Sequence, residues 1–395
     1  MFFSPKTSAD GLVFHYDTGN TVRSYLGEPT VNLLYSAGAY NLIDGATDIY
    51  GRCTRTDLGN GKYRFVNNGT GVSTVRVYTN QGDLINGATY ACSVYYENLV
   101  GGIGIDWCDT GITGLNYSTN VSGRLGGYGT RGTYDGPYYF LDINFDSGGA
   151  VTLYNPQVEY KSHVTPFVAG TRSATQGLKD LTGNKTIDLS TVSFDSNAQM
   201  TFDGTDDTLD TGIPLTTLPA LSNFTIECTV KIDAYPTAAP PNFYNNTTRA
   251  GVLVGATYYS GTALYWYGNS SGTACTIYGY IRGADAYRNT AGFNLTPGRY
   301  HHLVLVNDYS GGTIKLYANG TLNGSATTAT QEYNPSLTPS AGNIGISKAQ
   351  VDGGGESVYS YLPCQVPSVK IFNRALTADE VARNYNAIKS RFNIG

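Results

Sequence analysis

The sequence has few charged residues and lacks features that several protein classes require. Asp, Glu, Lys and Arg make up 14% of the 395 residues, and the net charge is −5. Lys and Arg form no cluster, so we expect neither nucleic acid nor an anionic membrane surface as a partner. No run of 18 apolar residues is present, so no segment has the pattern of a membrane-spanning helix.

The six cysteines have neither the spacing of a metal site nor that of a redox pair. No C-x-x-C pair occurs, and no histidine stands near a cysteine at ligand spacing, so zinc is not expected. Cys92 and Cys228 fall on the apolar phase of strand-like segments, which predicts buried free thiols. The first residues, MFFSPKTSADG, lack the charged start and long apolar stretch of a signal peptide, so we expect synthesis and folding in a cytoplasm.

The composition that remains is typical of β-sandwiches. The chain contains 49 Gly and 33 Tyr, and 41% of its residues are hydrophobic. Glycine suits tight turns, and tyrosine suits pleated strands. Apolar residues alternate over residues 89–97 and from Phe224 to Ile232, which is the period of half-buried antiparallel strands.

Turn signals separate several of these strands. Residues 137–145 and 150–160 predict two strands, and the sequence DSGG at residues 146–149 predicts a hairpin turn between them. Asn319 and Gly320 follow another predicted strand and have the residue types that adopt the left-handed conformation of a tight hairpin.

One helix is predicted, at the C-terminal end. Thr377 and Glu380 have the spacing of a capping box, in which each side chain accepts a hydrogen bond from the other residue's main chain. Val381, Tyr385 and Ile388 then form an apolar stripe, which predicts a face that docks on the helix's own domain. Together these patterns predict an all-β protein of two jelly-roll-type antiparallel β-sandwiches with one C-terminal helix.

Four segments of the second half resemble concanavalin A-like or laminin-G-like sandwiches. They are similar to the opening strands, an inner strand, a central hairpin and the closing strand with its helix. The segments are residues 199–213 (QMTFDGTDDTLDTGI), 223–232 (NFTIECTVKI), 299–324 (RYHHLVLVNDYSGGTIKLYANGTLNG) and 366–392 (VPSVKIFNRALTADEVARNYNAIKSRF). Two residues depart from the family pattern: Cys228 stands where the family is often aromatic or small, and Tyr300 replaces a usual Trp. The resemblance covers about residues 177–395 and implies a laminin-G-like fold there.

The closing segment is also similar to segments of structural and fibre proteins of tailed bacteriophages. In those proteins the sandwich commonly opens with a stretch like residues 11–30 (GLVFHYDTGNTVRSYLGEPT), which in simpler relatives runs almost directly into a stretch like residues 177–184 (GLKDLTGN). The resemblance therefore implies an insertion, which is tolerated where chain ends are close and exposed. We predict that residues 1–30 form the first strand of the laminin-G-like sandwich, residues 31–170 an inserted domain, and residues 171–395 the remainder with the helix.

The predicted insert resembles carbohydrate-binding-module-type jelly rolls. Residues 89–98 (TYACSVYYEN) are similar to a strand of that group, and residues 151–173 (VTLYNPQVEYKSHVTPFVAGTRS) to its ending, which is frequent in phage fibre and particle proteins. The resemblance implies a sandwich fold and does not assign a sugar ligand residue by residue.

Catalytic groups are not expected. Glycosidases of the concanavalin A-like fold carry paired carboxylates on one strand, usually as E-x-D-x-x-E, and that pattern is absent. Asp106 and Asp109 flank Trp107 in the other sandwich, where a strand end that buries a tryptophan is the simpler interpretation. His301 and His302 are adjacent on a strand and so face opposite sides of the sheet, which argues against a shared metal or a catalytic triad.

Two groups of residues are candidate binding sites. Asp203, Asp206 and Asp207 cluster in a loop, and laminin-G-like sandwiches often hold calcium near such loops, so calcium is the one candidate cofactor. The alternative is a turn with solvated carboxylates. The candidate glycan platform is an aromatic hairpin of Tyr258, Tyr259, Tyr265, Trp266 and Tyr267. The alternative is that these rings belong to the core and to a subunit contact.

The sequence thus predicts a non-enzymatic surface protein of a tailed phage particle, either a capsid-decorating or fibre component or a tail fibre. We expect it to act in particle assembly and in adhesion to host-surface glycans. The expected partners are other virion proteins, host glycans and further copies of the chain, with a trimer favoured. A bacterial glycan-binding module and a glycan hydrolase are the alternatives.

Overall fold

The protein is represented by a computed structural model that describes residues 7–35, 47–80, 84–107, 113–115, 117–132, 138–214, 217–236, 249–256, 262–269, 271–282, 287–330, 343–348 and 361–394. In these ranges every strand pairing is antiparallel, and the one α-helix, α1, spans Ala378–Ile388. A short 3-10 helix spans Leu33–Tyr35. The predicted all-β class with one C-terminal helix is confirmed.

The strands are, in chain order, β1 Leu12–Asp17, β2 Thr30–Val31, β3 Thr47–Asp48, β4 Cys53–Asp57, β5 Tyr63–Asn67, β6 Ser73–Asn80, β7 Thr89–Val100, β8 Ile103–Trp107, β9 Thr113–Leu115, β10 Tyr117–Ser118, β11 Gly123–Thr130, β12 Tyr138–Phe145, β13 Ala150–Glu159, β14 Thr171–Arg172, β15 Ser193–Phe194, β16 Met200–Thr201, β17 Leu209–Pro214, β18 Phe224–Lys231, β19 Arg249–Gly255, β20 Thr262–Gly268, β21 Cys275–Arg282, β22 Tyr287–Asn289, β23 Phe293–Asn294, β24 Tyr300–Asp308, β25 Thr313–Ala318, β26 Thr321–Thr327, β27 Asn343–Lys348 and β28 Gln365–Phe372.

The chain divides into two compact units. The larger unit comprises Met1–Leu26, Ala174–Asp195 and Gln199–Gly395, and the smaller comprises Gly27–Ser173 with Ser196–Ala198. In the larger unit β1 pairs with β28, so a strand near the start of the chain lies beside the last strand. Tyr25 bridges to Leu178, and the Leu26 amide donates to the Gly177 carbonyl at 2.8 Å. The two chain segments that flank the smaller unit in sequence are therefore adjacent within the larger unit.

The larger unit is a sandwich of two sheets. One has the strand order β1-β28-β18-β24-β25-β26, and the other the order β17-β27-β19-β20-β21-β22 with β23 beside β21. Apolar side chains from both sheets form one buried cluster that includes Phe14, Ile226, Leu305 and Trp266. The alternating apolar positions of β18 belong to this core, as their spacing predicts.

The second face of β18 is covered, although its sequence predicts a half-buried strand. Thr225, Glu227 and Thr229 are all buried. The segment leading into α1 packs there, because the Leu376 amide donates to Thr225 Oγ1 at 3.0 Å and Asn384 donates to Glu227. A polar residue pattern could not reveal that a helix from the far end of the chain would cover it.

The helix begins as its sequence predicts. Thr377 Oγ1 accepts from the Glu380 amide, and the Glu380 carboxylate accepts from the Thr377 amide, which completes the capping box. Val381 is fully buried in a cluster with Val304 and Phe372, so the apolar stripe docks on the helix's own unit. Asn319 (φ 50°) and Gly320 (φ 80°) have the left-handed conformations predicted for the turn between β25 and β26.

The smaller unit is also a sandwich. Its sheets have the strand orders β10-β8-β12-β6-β3 and β4-β5-β13-β7-β11-β9. Between them lies a buried cluster that includes Val75, Val94, Ile143 and Val151. Short pairs lie outside these sheets: β2 pairs with β14 in this unit, and β15 pairs with β16 in the larger unit.

The predicted hairpin between β12 and β13 is wrong. A tight turn is present, with the Gly149 amide donating to the Asp146 carbonyl at 3.0 Å, but β12 and β13 belong to opposite sheets of the sandwich. Turn chemistry sets only the local change of chain direction. Whether the next strand pairs with the previous one or crosses to the other sheet depends on the strands that already occupy each sheet.

The cysteines that the structure describes are free thiols. Cys92, Cys228, Cys275 and Cys364 are buried and Cys53 is half-buried, whereas Cys108 lies outside the described residues. Burial raises the pKa of the Cys275 thiol to about 12, which makes it unreactive. Among the described residues, no helix is long and apolar enough to cross a membrane.

Candidate functional site

The sheet β10-β8-β12-β6-β3 carries polar side chains on the face away from the core of the smaller unit. Leu141, Ile143 and Phe145 of β12 are buried, and Asp142 and Asn144 alternate with them. The antiparallel register places Asp142 between Arg76 and Asp106. It places Asn144 beside Thr74. Side chains from three strands therefore meet on this face.

These polar side chains form two bonded groups. Arg76 binds Asp142 through two parallel bonds, Nε to Oδ1 at 2.7 Å and Nη2 to Oδ2 at 2.6 Å. Asn144 Nδ2 donates to Asp106 Oδ2 at 3.0 Å, and Asn144 Oδ1 accepts from Thr74 Oγ1. The charge of Asp142 is thus matched by a guanidinium, whereas Asp106 is bonded to a neutral amide.

A cleft of about 290 Å³ lies at this part of the sheet, near the small end of the size range of ligand sites. Its lining combines two carboxylate residues, one amide residue, two aromatic residues and smaller apolar or glycine positions. The lining residues are Val72, Gly102, Gly104, Ile105, Asp106, Tyr117, Asn144, Phe145 and Asp146.

Gly102 allows the Tyr117 side chain to form a wall of the cleft. A Cβ atom at position 102 would collide with the Tyr117 hydroxyl oxygen and would lie 2.9 Å from Cζ of that ring. Any larger residue at position 102 would therefore displace the tyrosine. Tyr117 is 56% exposed, so more than half of its surface is accessible to a ligand.

Asp146 is held at the cleft by the main chain around it. Its Oδ2 atom accepts a hydrogen bond from the Gly102 amide at 2.6 Å. Asn67 Nδ2 donates to the Asp146 carbonyl at 2.9 Å, which fixes the turn from the other side. The side chain itself is exposed, so the turn that connects the two sheets also presents a carboxylate to solvent.

This arrangement has the chemistry that a sugar requires. Carboxylates only accept hydrogen bonds, and sugar hydroxyls can donate them. The C–H face of a sugar ring is apolar and packs against an aromatic ring. Asp106 and Asp146 can therefore accept from hydroxyls while Tyr117 contacts the ring face.

The structure separates the residues of the predicted aromatic platform. Tyr258 and Tyr259 lie outside the described residues. Trp266 is 0% exposed and belongs to the main core, and Tyr265 is buried in a second cluster with Tyr280. Tyr267, on the same face of β20 as Tyr265, is 43% exposed. Among the described platform residues, Tyr267 alone offers a ring to a ligand, and its role as a glycan contact stays a prediction.

The structure does bring the three predicted metal ligands together. Asp203, Asp206 and Asp207 each place a carboxylate oxygen within 4.8 Å of the others. Buried Asp207 accepts from the Asp203 amide at 2.8 Å and from Ser193, and burial raises its pKa. Carboxylate oxygens suit Ca²⁺, which takes six to eight ligands, so main-chain oxygens and water would have to complete the shell. Calcium binding stays a prediction.

The histidines have structural surroundings. His302 is fully buried beside Glu227, and the ring of His301 packs on Phe293, while its Nε2 atom accepts from the Thr296 amide at 3.0 Å. Burial lowers the pKa of His301. The two rings have separate partners, as the predicted alternation along β24 requires.

One cleft residue, Asp106, was recognisable in the sequence, as half of a candidate carboxylate pair with Asp109. Asp109 lies outside the described residues. Asn144, Tyr117 and Asp146 were missed as site residues, although Asp142 and Asn144 alternate with apolar residues along β12. That alternation marks the solvent-facing side of β12 and is the one sequence signal for this site.

A family model described as the concanavalin A-like lectin/glucanases superfamily, of laminin G type, matches residues 203–382. No curated protein matches the chain. Among solved structures, the chain is similar to a Ruminococcus gnavus sialidase carbohydrate-binding module bound to α2,3-sialyllactose, with 15% identity and a TM-score of 0.31; the match covers 46% of this chain and 96% of that one.

Two further structures are similar over shorter parts of their own length. A mutant Trypanosoma rangeli sialidase with trans-sialidase activity has 16% identity and a TM-score of 0.34, over 54% of this chain and 31% of that one. A receptor-binding domain of botulinum neurotoxin mosaic serotype C/D has 13% identity and a TM-score of 0.34, over 54% and 49%. The chain thus spans about half of the toxin domain and less of the sialidase.

The family match lies within the larger unit, and it coincides with the segments whose sequence resembles laminin-G-like sandwiches. The larger sandwich of this protein therefore has the concanavalin A-like lectin fold.

Proposed function

We propose that this protein is a non-enzymatic surface protein of a tailed bacteriophage virion, serving in particle assembly and in adhesion to host-surface glycans. The glycan-binding part of the proposal rests on one observation, the cleft of the smaller unit. There Asp106, Asp146 and the exposed ring of Tyr117 line one cleft at the edge of a sheet. The virion part rests on the resemblance of residues 11–30 and 366–392 to phage structural proteins.

The cleft favours adhesion over bond chemistry. Glycoside hydrolysis needs one carboxyl group kept protonated as an acid and a second that is free to act as nucleophile or base. Here Asp106 accepts from Asn144, Asp146 accepts from the Gly102 amide, and Asp142 is bound to Arg76. Each of these carboxylates thus has a defined partner in the folded protein, and the remaining lone pairs of Asp106 and Asp146 can accept hydrogen bonds from a ligand.

The adhesion proposal is tested by measuring binding of the full chain and of Tyr117→Ala to an array of bacterial surface glycans. We expect saturable binding by the wild type and at least tenfold weaker binding by the variant, because the ring contact is lost. Tyr309→Ala is the matched control, since it removes an exposed tyrosine that lies outside both the cleft lining and the predicted aromatic platform. Equal loss in both variants, or wild-type affinity in Tyr117→Ala, would contradict the assignment to the cleft.

The virion proposal is tested on purified particles. We expect this chain to be present in intact virions at a fixed copy number and to be visible in the density of the particle surface. A bacterial glycan-binding module would bind the same glycans but be absent from particles. A hydrolase would release reducing ends from the bound glycan, and either result would overturn the corresponding part of the proposal.

A further inference from the structure

We infer, on the basis of the proposed glycan-binding function, that the cleft selects uncharged glycans and excludes those that carry carboxylate, sulfate or phosphate groups. The cleft lining contains two acidic residues, Asp106 and Asp146, and no basic residue among those described. An anionic substituent bound in the cleft would be repelled by the carboxylates that line it.

The charged residues around the cleft do not neutralise its two carboxylates. Arg76 is on the same sheet, but both of its bonded nitrogens are engaged by Asp142, so that pair contributes no net charge. Arg52 lies nearer the rim, where it donates to the Val72 carbonyl at 2.8 Å and stacks over Tyr50. One exposed guanidinium at the rim offsets at most one of the two carboxylates inside.

The hydrogen-bonding capacity of the cleft leads to the same conclusion. The Asn144 amide is engaged on both sides, since it donates to Asp106 and accepts from Thr74. What remains for a ligand is carboxylate oxygen, which needs a donor, together with the Tyr117 hydroxyl, which can donate or accept. Hydroxyl and amide groups of a neutral sugar supply donors, whereas an ionised acidic group supplies none.

An exposed apolar side chain adds to the match to an uncharged sugar. Val72 lines the cleft and is 49% exposed. Exposed apolar side chains beside polar acceptors complement a ring that has C–H surface and hydroxyls but no charge.

The test compares matched glycans that differ only in charge. Binding of the full chain to lactose-based and N-acetylglucosamine-based oligosaccharides is measured beside their sialylated and sulfated forms. We expect the neutral member of each pair to bind at least tenfold more tightly. Asp146→Asn keeps the shape of the side chain and removes one charge. It should reduce the ratio of neutral-glycan affinity to acidic-glycan affinity severalfold. In the wild type, 0.5 M salt should reduce the same ratio by screening the repulsion.

Asp57→Asn is the matched control, because Asp57 is an exposed acid of the same unit outside the cleft lining. The ratio of its affinities for the neutral and the acidic glycan should equal that of the wild type. Tighter binding of the acidic member, or a ratio unchanged by Asp146→Asn, overturns the inference and leaves the glycan-binding proposal standing. Failure of every neutral and acidic glycan to bind overturns both.

Discussion

Among individual residues, Glu227 is a buried carboxylate surrounded by three polar side chains. Its Oε1 atom lies 2.6 Å from Lys370 Nζ, its Oε2 accepts from Asn384 at 2.6 Å, and His302 lies 3.3 Å away, all in the buried space beneath α1. Burial by itself would raise the pKa of Glu227. The charge of Lys370, with His302 as a further neighbour, outweighs burial and holds the pKa of Glu227 well below its usual range.

Lys370→Met is therefore expected to be strongly destabilising. It leaves a buried carboxylate without its cation, which typically costs about 3–5 kcal/mol in the free energy of unfolding. The double variant Glu227→Gln/Lys370→Met removes both charges and should recover part of that loss. Urea unfolding of the three proteins measures the effect.

Lys231→Met provides the control for this pair. Lys231 binds the exposed Asp233 at 2.9 Å from a neighbouring position on the same strand as Glu227. Surface pairs contribute less than about 1 kcal/mol. An equal loss in Lys231→Met and Lys370→Met would mean that burial of the Glu227 pair has no energetic consequence.

The calcium hypothesis also belongs to single side chains. Asp203 and Asp206 are the exposed members of the acidic group. Asp206 can be changed with less effect on the turn, because the hydrogen bonds of the turn are accepted by Asp203 and Asp207. If the group binds Ca²⁺, millimolar calcium should raise the melting temperature of the wild type and leave Asp206→Asn unchanged. The same calcium response in both proteins, or none in either, would contradict the hypothesis.

At the level of elements, α1 depends on its first turn. Thr377→Ala removes the oxygen that accepts from the Glu380 amide and should cost about 1 kcal/mol of stability. Asp379→Asn, in the same turn but outside the capping box, should change stability by only a few tenths of that amount. Thermal unfolding measures both, and equal effects would argue against the capping bond.

The Glu380 carboxylate in the same turn should make the stability of the protein depend on pH. Hydrogen bonds from Arg374 lower the pKa of Glu380 to about 2, below its value of about 4.3 in an unfolded chain. A depressed carboxyl pKa stabilises the folded state above the unfolded value, and this contribution is lost as the pH falls from about 4.3 to about 2. Glu380→Gln should be less stable than wild type at pH 7, with the difference disappearing near pH 2. A constant difference across this range would be the contrary result.

On the scale of the whole molecule, the two units should fold separately. Leu26 and Gly177 are joined by a main-chain hydrogen bond within the larger unit, so a short Gly-Ser linker can replace residues 27–173. We expect this deletion variant to keep a cooperative unfolding transition. The slope of its unfolding free energy against denaturant concentration should be smaller, because less surface is exposed when the shorter chain unfolds. Residues 27–173 expressed alone should also unfold cooperatively, since β2 and β14 pair near its two ends. Loss of cooperativity in either piece would show that the corresponding unit does not fold by itself.

Much of the architecture followed from local patterns. Alternation with a period of two identified the strands, Asn319 and Gly320 identified a hairpin, and Thr377 with Glu380 identified the start of the helix. Each of these signals lies within a few residues of the structure it specifies. The hairpin predicted after Phe145 failed because its outcome depends on strands far away in sequence.

By itself the sequence determined the all-β class, the strands, the helix cap and the resemblance to a lectin-type sandwich, because backbone preferences and alternating burial act over short stretches of chain. The tertiary structure alone decided which polar side chains meet. Asp106, Tyr117 and Asp146 come from three separate segments, and strand register together with the missing side chain of Gly102 brings them to one cleft. It also decided that Tyr265 and Trp266 are buried while Tyr267 is exposed, since alternation separates the faces of a strand but does not say what will cover them.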